Sequence, residues 1–348
     1  MTSPALASTL TERLFGALLG TAELLTVQLG RELGLYTALR AGPHDPAGLA
    51  AAAGIDERYA REWLEQQAAA GFLTADAGTF ALAPGVTEVL LDEDGPDYAG
   101  AAAEFALGAA LLTPAVIGAF RTGAGVPYAE YRHIRHGIAG FNRPMFTHLL
   151  TGEWLPAVPE IDRRLRDLPG AAVLDLGCGM GHSSVAMARA YPAITVRGVD
   201  LDEDSITEAR RVAAAAGVAD RVTFTTGDAA ATGGTYDLIT IFEALHDMGD
   251  PVGVLRNARG LLTDGGSVFV ADERVADEFT APAGEVERLQ YAFSVLHCLP
   301  ATRAENPVVA NGTVLRAPTL IGWARDAGYT APEVLTVEND FWRFYRLR

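Results

Sequence analysis

The sequence predicts an α/β protein, a parallel sheet covered by helices on both faces, behind a mostly helical N-terminal domain. Three observations carry this. From Ala171 onward short apolar runs alternate with helical segments. Val173-Leu174-Asp175-Leu176-Gly177-Cys178-Gly179-Met180-Gly181-His182 reads as a buried strand entering a glycine-rich turn and then a helix. The first hundred residues read as helices followed by a hairpin.

At 348 residues the chain is long enough for two domains, and 49% hydrophobic content describes a soluble globular protein. No apolar run reaches the length of a membrane span, and Met1 to Leu10 lacks the basic start and apolar core of a signal peptide. The expected location is cytoplasmic, with no membrane partner. Cys178 and Cys298 sit in unrelated segments without metal-ligand spacing, so neither a disulfide framework nor a zinc module is indicated, and Cys178 reads as a small residue in the turn. All 27 basic residues are arginine, which excludes a lysine Schiff base, and the net charge of -17 argues against nucleic acid as a partner.

Apolar residues recur at helical spacing from Leu14 to Ala41, until Gly42-Pro43 breaks the run. Pro46 to Ala53 reads as a short helix, Gly54-Ile55-Asp56 as a turn carrying an N-cap, and Glu57 to Ala70 as a longer helix ending at Gly71. Phe72-Leu73-Thr74 and Thr79-Phe80-Ala81-Leu82, joined by Asp76-Ala77-Gly78, read as a hairpin. Together these resemble a winged-helix domain, a fold often used on DNA. Charge argues against that use. Residues 1–100 hold 14 acidic residues and 5 arginines, and the second helix of the turn motif mixes Glu57, Arg58, Arg61, Glu62 and Glu65, whereas a groove-reading domain needs cations over phosphates. The expected use is dimerisation, giving a homodimer.

Residues 101–165 read as further helices, with an apolar stretch from Ala99 to Phe120 and a polar-aromatic stretch from Tyr128 to Trp154. This segment is expected to link the N-terminal domain (1–100) to the sheet domain (166–348) and to cap a substrate pocket. Tyr128, Phe146 and Trp154 are its candidate substrate contacts, although each of these aromatics also reads as core.

In the sheet domain the expected order is Ala172 to Leu176, Ser183 to Ala190, Thr195 to Asp200, Asp204 to Ala216, Val222 to Thr226, Leu238 to Phe242, Pro251 to Leu261 and Ser267 to Ala271. Ligands of such sheets bind at the carboxyl ends of the strands. At the first end, glycines at alternate positions remove the Cβ atoms that would block a nucleotide-like ligand, and the next helix offers free amides. A carboxylate at Asp175 disfavours phosphate and suits an ammonium or sulfonium charge. The second end is Asp200-Leu201-Asp202, with Asp200 19 residues past Gly181, about where an acid meets ribose hydroxyls. The third, Gly227-Asp228-Ala229, sets a carboxylate where an adenine amino group could donate to it. The fourth is Phe242-Glu243-Ala244-Leu245-His246-Asp247.

The turn D-x-G-x-G-x-G resembles motif I of class I S-adenosylmethionine-dependent methyltransferases. With the ordered strand ends and the N-terminal domain, most of the chain resembles the two-domain small-molecule methyltransferases that dimerise through a winged helix. The resemblance implies a Rossmann-like, seven-stranded methyltransferase domain holding S-adenosyl-L-methionine through Asp175, Gly177, Gly179, Asp200, Leu201, Gly227, Asp228, Ala229 and Phe242. It implies a small aromatic or oxoacid specialised metabolite as acceptor, with oxygen slightly favoured as the methylated atom.

The family's catalytic base follows the fourth strand in a His-Asp-Trp motif, so Leu245-His246-Asp247-Met248 implies His246. An imidazole accepts a proton from a phenol or acid near neutral pH. In the plant enzymes a glutamate after strand five orients the base; Asp272 falls at that place, with Glu273 beside it. The departures at Asp272 and Met248 leave the orienting role open, and either acid also reads as a cap. His297, near the Pro300 stop of a helix from Arg288, is a further candidate substrate contact. His246, Asp247 and His297 would make a two-histidine, one-carboxylate set for iron or another divalent metal. That set is similar to the one in iron-dependent C-methyltransferases of aryl 2-oxoacids, which makes metal-dependent C-methylation the alternative. Val334 to Val337 and Trp342 to Arg346 read as a closing antiparallel pair. Arg316 could clamp a substrate carboxylate, or form an ordinary ion pair. Two rivals differ in kind: a cofactor-sensing winged-helix transcriptional regulator, and a methyltransferase fold repurposed for another reaction.

Overall fold

A computed structural model describes residues 4–348. The chain forms two compact units, one of residues up to Leu111 with His133–Pro144, the other of Leu112–Arg132 with Met145–Arg348. Residues 101–165 are thus divided between the two units.

In the first unit the expected run from Leu14 to Ala41 is two helices, Pro4–Glu32 and Leu35–Ala41. Gly34, at φ 69°, supplies the left-handed residue that separates them. Asp45 caps Pro46–Ala53 by accepting from the Gly48 amide, and Asp56 caps Glu57–Ala69 by accepting from Arg58 and Tyr59. The hairpin is β1 (Leu73–Asp76) and β2 (Thr79–Leu82), turned by Ala77 and Gly78 at φ 49° and 84°. Positive φ at both central residues matches the twist of the flanking strands. Leu35, Tyr36, Leu49, Trp63, Leu64 and Phe80 form the core beneath it. On the second helix of the turn motif, Glu57–Ala69, Arg58 pairs with Glu62 and Arg61 with Glu57, so its cations are met by acids of the same helix.

The helix Ala101–Thr122 corrects one expectation. At 22 residues, with an 18-residue window of mean hydropathy 1.7, it is long and apolar enough to cross a membrane by length and composition. Its Ala103, Phe105, Leu112, Val116 and Ala119 are buried within the protein, while Leu111, Ile117 and Phe120 are exposed.

The second unit holds a seven-stranded sheet in the order β5-β4-β3-β6-β7-β9-β8. Its strands are β3 (Ala172–Leu176), β4 (Thr195–Asp200), β5 (Val222–Thr226), β6 (Tyr236–Phe242), β7 (Leu262–Glu273), β8 (Glu333–Val334) and β9 (Trp342–Leu347). All neighbours are parallel except β7 with β9 and β8 with β9. One face packs on a core that includes Trp154, Ile161, Val185, Met187, Phe269 and Phe344, the other on Leu245, Val254, Leu255, Leu315, Leu320 and Tyr345. The strand order reverses between β3 and β6, the position at which open sheets form a ligand crevice.

The expected helix from Arg288 to Pro300 is interrupted. Glu285–Phe293 is α-helical, Ser294–Cys298 is a wide π-helical turn, and Leu299–Ala304 resumes the α-helix. Pro300 has no amide hydrogen to donate back into the helix, and the widened turn carries His297 and Cys298.

Candidate active site

The loop after β3 lies at the reversal point and carries three glycines in the left-handed region, Gly177, Gly179 and Gly181 at φ 68°, 50° and 79°. A Cβ on Gly177 would lie 2.6 Å from Ala244 Cβ, and one on Gly181 2.6 Å from Phe224, whereas one on Gly179 would meet nothing within 4 Å. Gly177 and Gly181 therefore let the loop pack on the protein, and Gly179 leaves its outer surface bare.

Two carboxylates, one buried and one half-buried, hold this loop. Asp175, 1% exposed, accepts from the hydroxyls of Ser183 (2.6 Å) and Ser184 (2.6 Å), and from Thr240 on β6 (2.8 Å). Burial raises its pKa, and the three hydroxyls oppose that shift. Asp200 accepts from the amides of Gly179 (2.8 Å) and Asp202 (2.9 Å), so the end of β4 is bonded directly to the glycine loop. Asp228 follows β5, exposed, and accepts from the Ala230 amide at 2.8 Å. Glu305 has its pKa raised by desolvation and by the charges of Asp247, Asp228 and Asp200, which puts each of these acids within electrostatic reach of Glu305. The carboxyl end of the sheet thus carries a negative field.

Beside the loop, on the turn after β6, His246 is 1% exposed and its Nδ1 lies 2.8 Å from Asp272 Oδ1 at the end of β7. The His246 backbone amide also donates to Asp272 Oδ2, at 3.3 Å. Nε2 points the other way, with Asp247 Oδ1 3.5 Å from it. Burial pulls the imidazole pKa down, but the charges of Asp272 and Asp247 outweigh it and hold the pKa well above 6.5. Ligand atoms of His246, Asp247 and Cys298 lie within 4.8 Å of one another. Around them, Tyr131 stands edge-on to His297 at 4.7 Å, and Tyr128 tilts against the same ring at 6.0 Å. The Tyr131 hydroxyl is fully buried, has no hydrogen-bond partner among the described residues, and feels the charges of Cys298 and Asp247.

A methyltransferase-domain family profile matches residues 167–307, and an Rv2258c-like winged helix-turn-helix profile matches residues 21–90. A ubiquinone biosynthesis O-methyltransferase of Pseudomonas paraeruginosa is 30% identical over 195 residues, 54% of this chain and 76% of that protein. The chain belongs to the class I S-adenosylmethionine-dependent methyltransferase family. The corresponding Xanthomonas campestris protein is 37% identical over 106 residues, so this methyltransferase matches only 44% of that relative's length. Among solved structures, an O-methyltransferase family protein from Burkholderia thailandensis superposes with a TM-score of 0.69 at 20% identity, over 100% of this chain and 98% of that one. A riboflavin-derivative N,N-dimethyltransferase from Streptomyces davawensis gives 0.65 at 20%, over 97% and 98%. At such identities these structures share the fold.

The residues present fit S-adenosylmethionine: a bare glycine surface at Gly179 meets an acid-rich strand end, which matches a ligand with two positive charges and no phosphate. Gly177, Gly179, Asp200, Leu201, Gly227, Asp228 and Ala229 all sit at this end, with Leu201 59% exposed and the Gly227 amide bonded to the Asp200 carbonyl at 2.9 Å. Two expected cofactor contacts are corrected. Asp175 has its oxygens taken by three hydroxyls and braces the loop from beneath. Phe242 points into the core, 5.5 Å from Phe146 and 6.0 Å from Phe269.

Three expected substrate contacts are corrected too. Phe146 packs on Phe242 and Trp342, and Trp154, wholly buried, packs on Trp342 and Phe344. Both are core because the aromatic face of β9 needs that cover. Arg316 donates to the Ala276 and Glu278 carbonyls and to Tyr291, and pairs with Glu287 at 3.5 Å. Its guanidinium ties a loop to a helix, and the carboxylate it pairs with is Glu287. Tyr128 and His297 do lie together. The expected metal set is altered: Cys298, not His297, groups with His246 and Asp247. Consecutive residues of a helical turn point in different directions, and here Cys298 is the one turned toward His246. Tyr131, Cys298, Thr240, Ser183 and Ser184 escaped sequence reasoning as site residues, because nothing in their local pattern distinguishes a buried hydroxyl or thiol with a long-range partner.

Proposed function

We propose that this chain transfers the methyl group of S-adenosylmethionine to an oxygen of a small aromatic or oxoacid metabolite, with His246 as general base and Asp272 as the group that orients it. The observation that carries this reading is the His246–Asp272 contact of 2.8 Å beside the glycine loop. Bound S-adenosylmethionine supplies an electrophilic methyl carried on a positively charged sulfur. Asp272 keeps the Nδ1 hydrogen in place, so Nε2 is the atom that takes the proton from the acceptor hydroxyl as its oxygen bonds the methyl carbon. Burial of His246 and Tyr131 excludes water, and the Tyr131 hydroxyl, kept protonated by burial, is a donor for the acceptor oxygen.

The test is a pH profile of methyl transfer to a phenol. A base must be neutral to act, and its neighbours hold His246 protonated above the usual histidine range. The rate is therefore expected to rise with pH through a midpoint above 6.5. A profile that is flat, or one that falls with rising pH, would remove His246 as the base.

The grouping of His246, Asp247 and Cys298 favours a second reading, in which these three hold a divalent metal and the reaction is C-methylation of a 2-oxoacid. A metal there would withdraw electrons from the acceptor's oxygens. Elemental analysis of protein purified without added metal should then give close to one iron or zinc per chain, with chelators abolishing activity; a metal-free, chelator-resistant enzyme would end this reading.

Homodimerisation is part of the proposal. Leu10, Leu14 and Leu18 recur every four residues on the helix Pro4–Glu32, and with Phe15 they are 57–71% exposed, the kind of apolar stripe that marks an interface. Replacing Leu14 and Leu18 with glutamate should convert a dimer to a monomer in light scattering. A wild-type protein that runs as a monomer would refute it.

A further inference from the structure

Next to the His246–Asp272 pair the structure carries a second polar group that the proposed chemistry does not use. Glu243 ends β6 and Glu273 ends β7; these strands are parallel neighbours, with Phe242 opposite Ala271 and the Glu243 amide donating to the Ala271 carbonyl at 2.8 Å. The backbone of Glu243 is in the left-handed region at φ 48°, a strained conformation for a non-glycine residue that clusters at functional sites. That kink brings its side chain onto Glu273, and the two carboxyls are hydrogen-bonded to each other. Glu273 is 1% exposed, and its pKa is raised by burial first and by the Glu243 charge second, so the pair shares a proton.

The helix Glu285–Phe293 closes the group from above. Gln290, 3% exposed, donates through Nε2 to Glu273 Oε2. Its Oε1 has no hydrogen-bond partner among the described residues. Glu273 Oε2 accepts from the amide nitrogen, which sets the orientation of the side chain and leaves Oε1 as the unmatched atom. The charges acting on Glu273 are those of Glu243, Asp272 and His246. No arginine is among these charges; Arg316 bonds Ala276, Glu278 and Tyr291 and pairs with Glu287. The unmatched acceptor of Gln290, held beside a carboxyl pair, calls for a donor from outside the protein.

We propose that Glu243, Glu273 and Gln290 form a subsite that takes a hydrogen-bond-donating group of the methyl acceptor, an ammonium or a hydroxyl, in preference to a carboxylate. The inference rests on the methyl-transfer reading for the identity of the ligand as acceptor. It narrows that reading to acceptors that bring a donor some distance from the methylated oxygen.

The test is calorimetric titration of the full-length protein saturated with S-adenosylhomocysteine, using four phenols that differ in one substituent: tyramine, tyrosol, para-ethylphenol and para-hydroxyphenylpropionate. Tyramine or tyrosol should bind about tenfold tighter than para-ethylphenol, the lower end of what a hydrogen bond to a charged group contributes, and the carboxylate should bind weakest. A preference for tyramine over tyrosol assigns the group as an ammonium, and equal binding assigns it to either donor. Glu273→Gln and Gln290→Leu should each erase the preference while S-adenosylhomocysteine still binds, which also reports that the variants are folded. Equal affinity for all four probes, tightest binding of the carboxylate, no binding of any probe, or a preference that survives both variants would overturn the proposal. S-adenosylhomocysteine binding by the wild-type protein is read in the same experiment, so failure of the methyl-transfer reading shows separately.

Discussion

Replacing His246 with glutamine is expected to lower kcat by about 100- to 10,000-fold, the range general base catalysis contributes, while S-adenosylhomocysteine affinity stays close to wild type. Glutamine is chosen over alanine because His246 and Asp272 are both buried. A truncation would leave the Asp272 charge without its partner, a loss of roughly 3–5 kcal/mol in stability that would obscure the kinetics. Residual activity should remain, since alignment of acceptor and methyl, on the order of 7–11 kcal/mol of the barrier, does not depend on the base. Asp272→Asn gives the diagnostic companion. It removes the first of the two charges that raise the His246 pKa, so the rising limb of the pH profile should move to lower pH while the plateau falls. A His246→Gln enzyme with turnover close to wild type, or an Asp272→Asn profile with an unmoved midpoint, would remove the pair from catalysis.

The second large effect separates the glycines of one loop. Gly179→Val meets no packing conflict, because a Cβ there finds nothing within 4 Å, so its stability cost is only the backbone strain at φ 50°, about 1–3 kcal/mol. It should weaken S-adenosylhomocysteine binding by about one to two orders of magnitude, the equivalent of roughly 1–3 kcal/mol of steric overlap. Gly181→Val should cost more stability and act mainly there. Its φ of 79° and a Cβ 2.6 Å from Phe224 and 2.9 Å from Ala209 combine backbone strain with overpacking, each about 1–3 kcal/mol. Chemical denaturation alongside ligand titration reads both. If Gly179→Val binds ligand normally, the loop surface at Gly179 is not where the cofactor lies.

Much of the sheet was legible in the chain because each strand end announces itself locally. Ala172–Leu176, Thr195–Asp200 and Val222–Thr226 have the expected bounds: the first is a mostly apolar run buried along its length, while Val222–Thr226 at the sheet edge alternates buried and exposed residues, and each is followed by a glycine or an aspartate turn. The helices Pro46–Ala53 and Glu57–Ala69 were legible from their aspartate caps. The break at Gly34 was not, because a single glycine inside a long helical pattern is often tolerated. Nor was the π turn at Ser294–Cys298, where the deciding influence is how the helix packs over the site.

For the site, the sequence by itself determined the ligand-facing backbone: three glycines needing positive φ, an acid 19 residues on, and a histidine after the fourth strand of the domain. These are properties of short segments, and the conformations they require are set by neighbours in the chain. Which polar side chains face the ligand was decided only by the tertiary structure. Asp175 was drawn under the loop by Ser183, Ser184 and Thr240, and Arg316 was consumed by the loop at Ala276. Cys298 took the place expected for His297, and Glu243 met Glu273 across two strands. Each outcome depends on partners far apart in sequence, since a buried charge or hydroxyl goes where its hydrogen bonds can be completed, and local pattern carries no record of that.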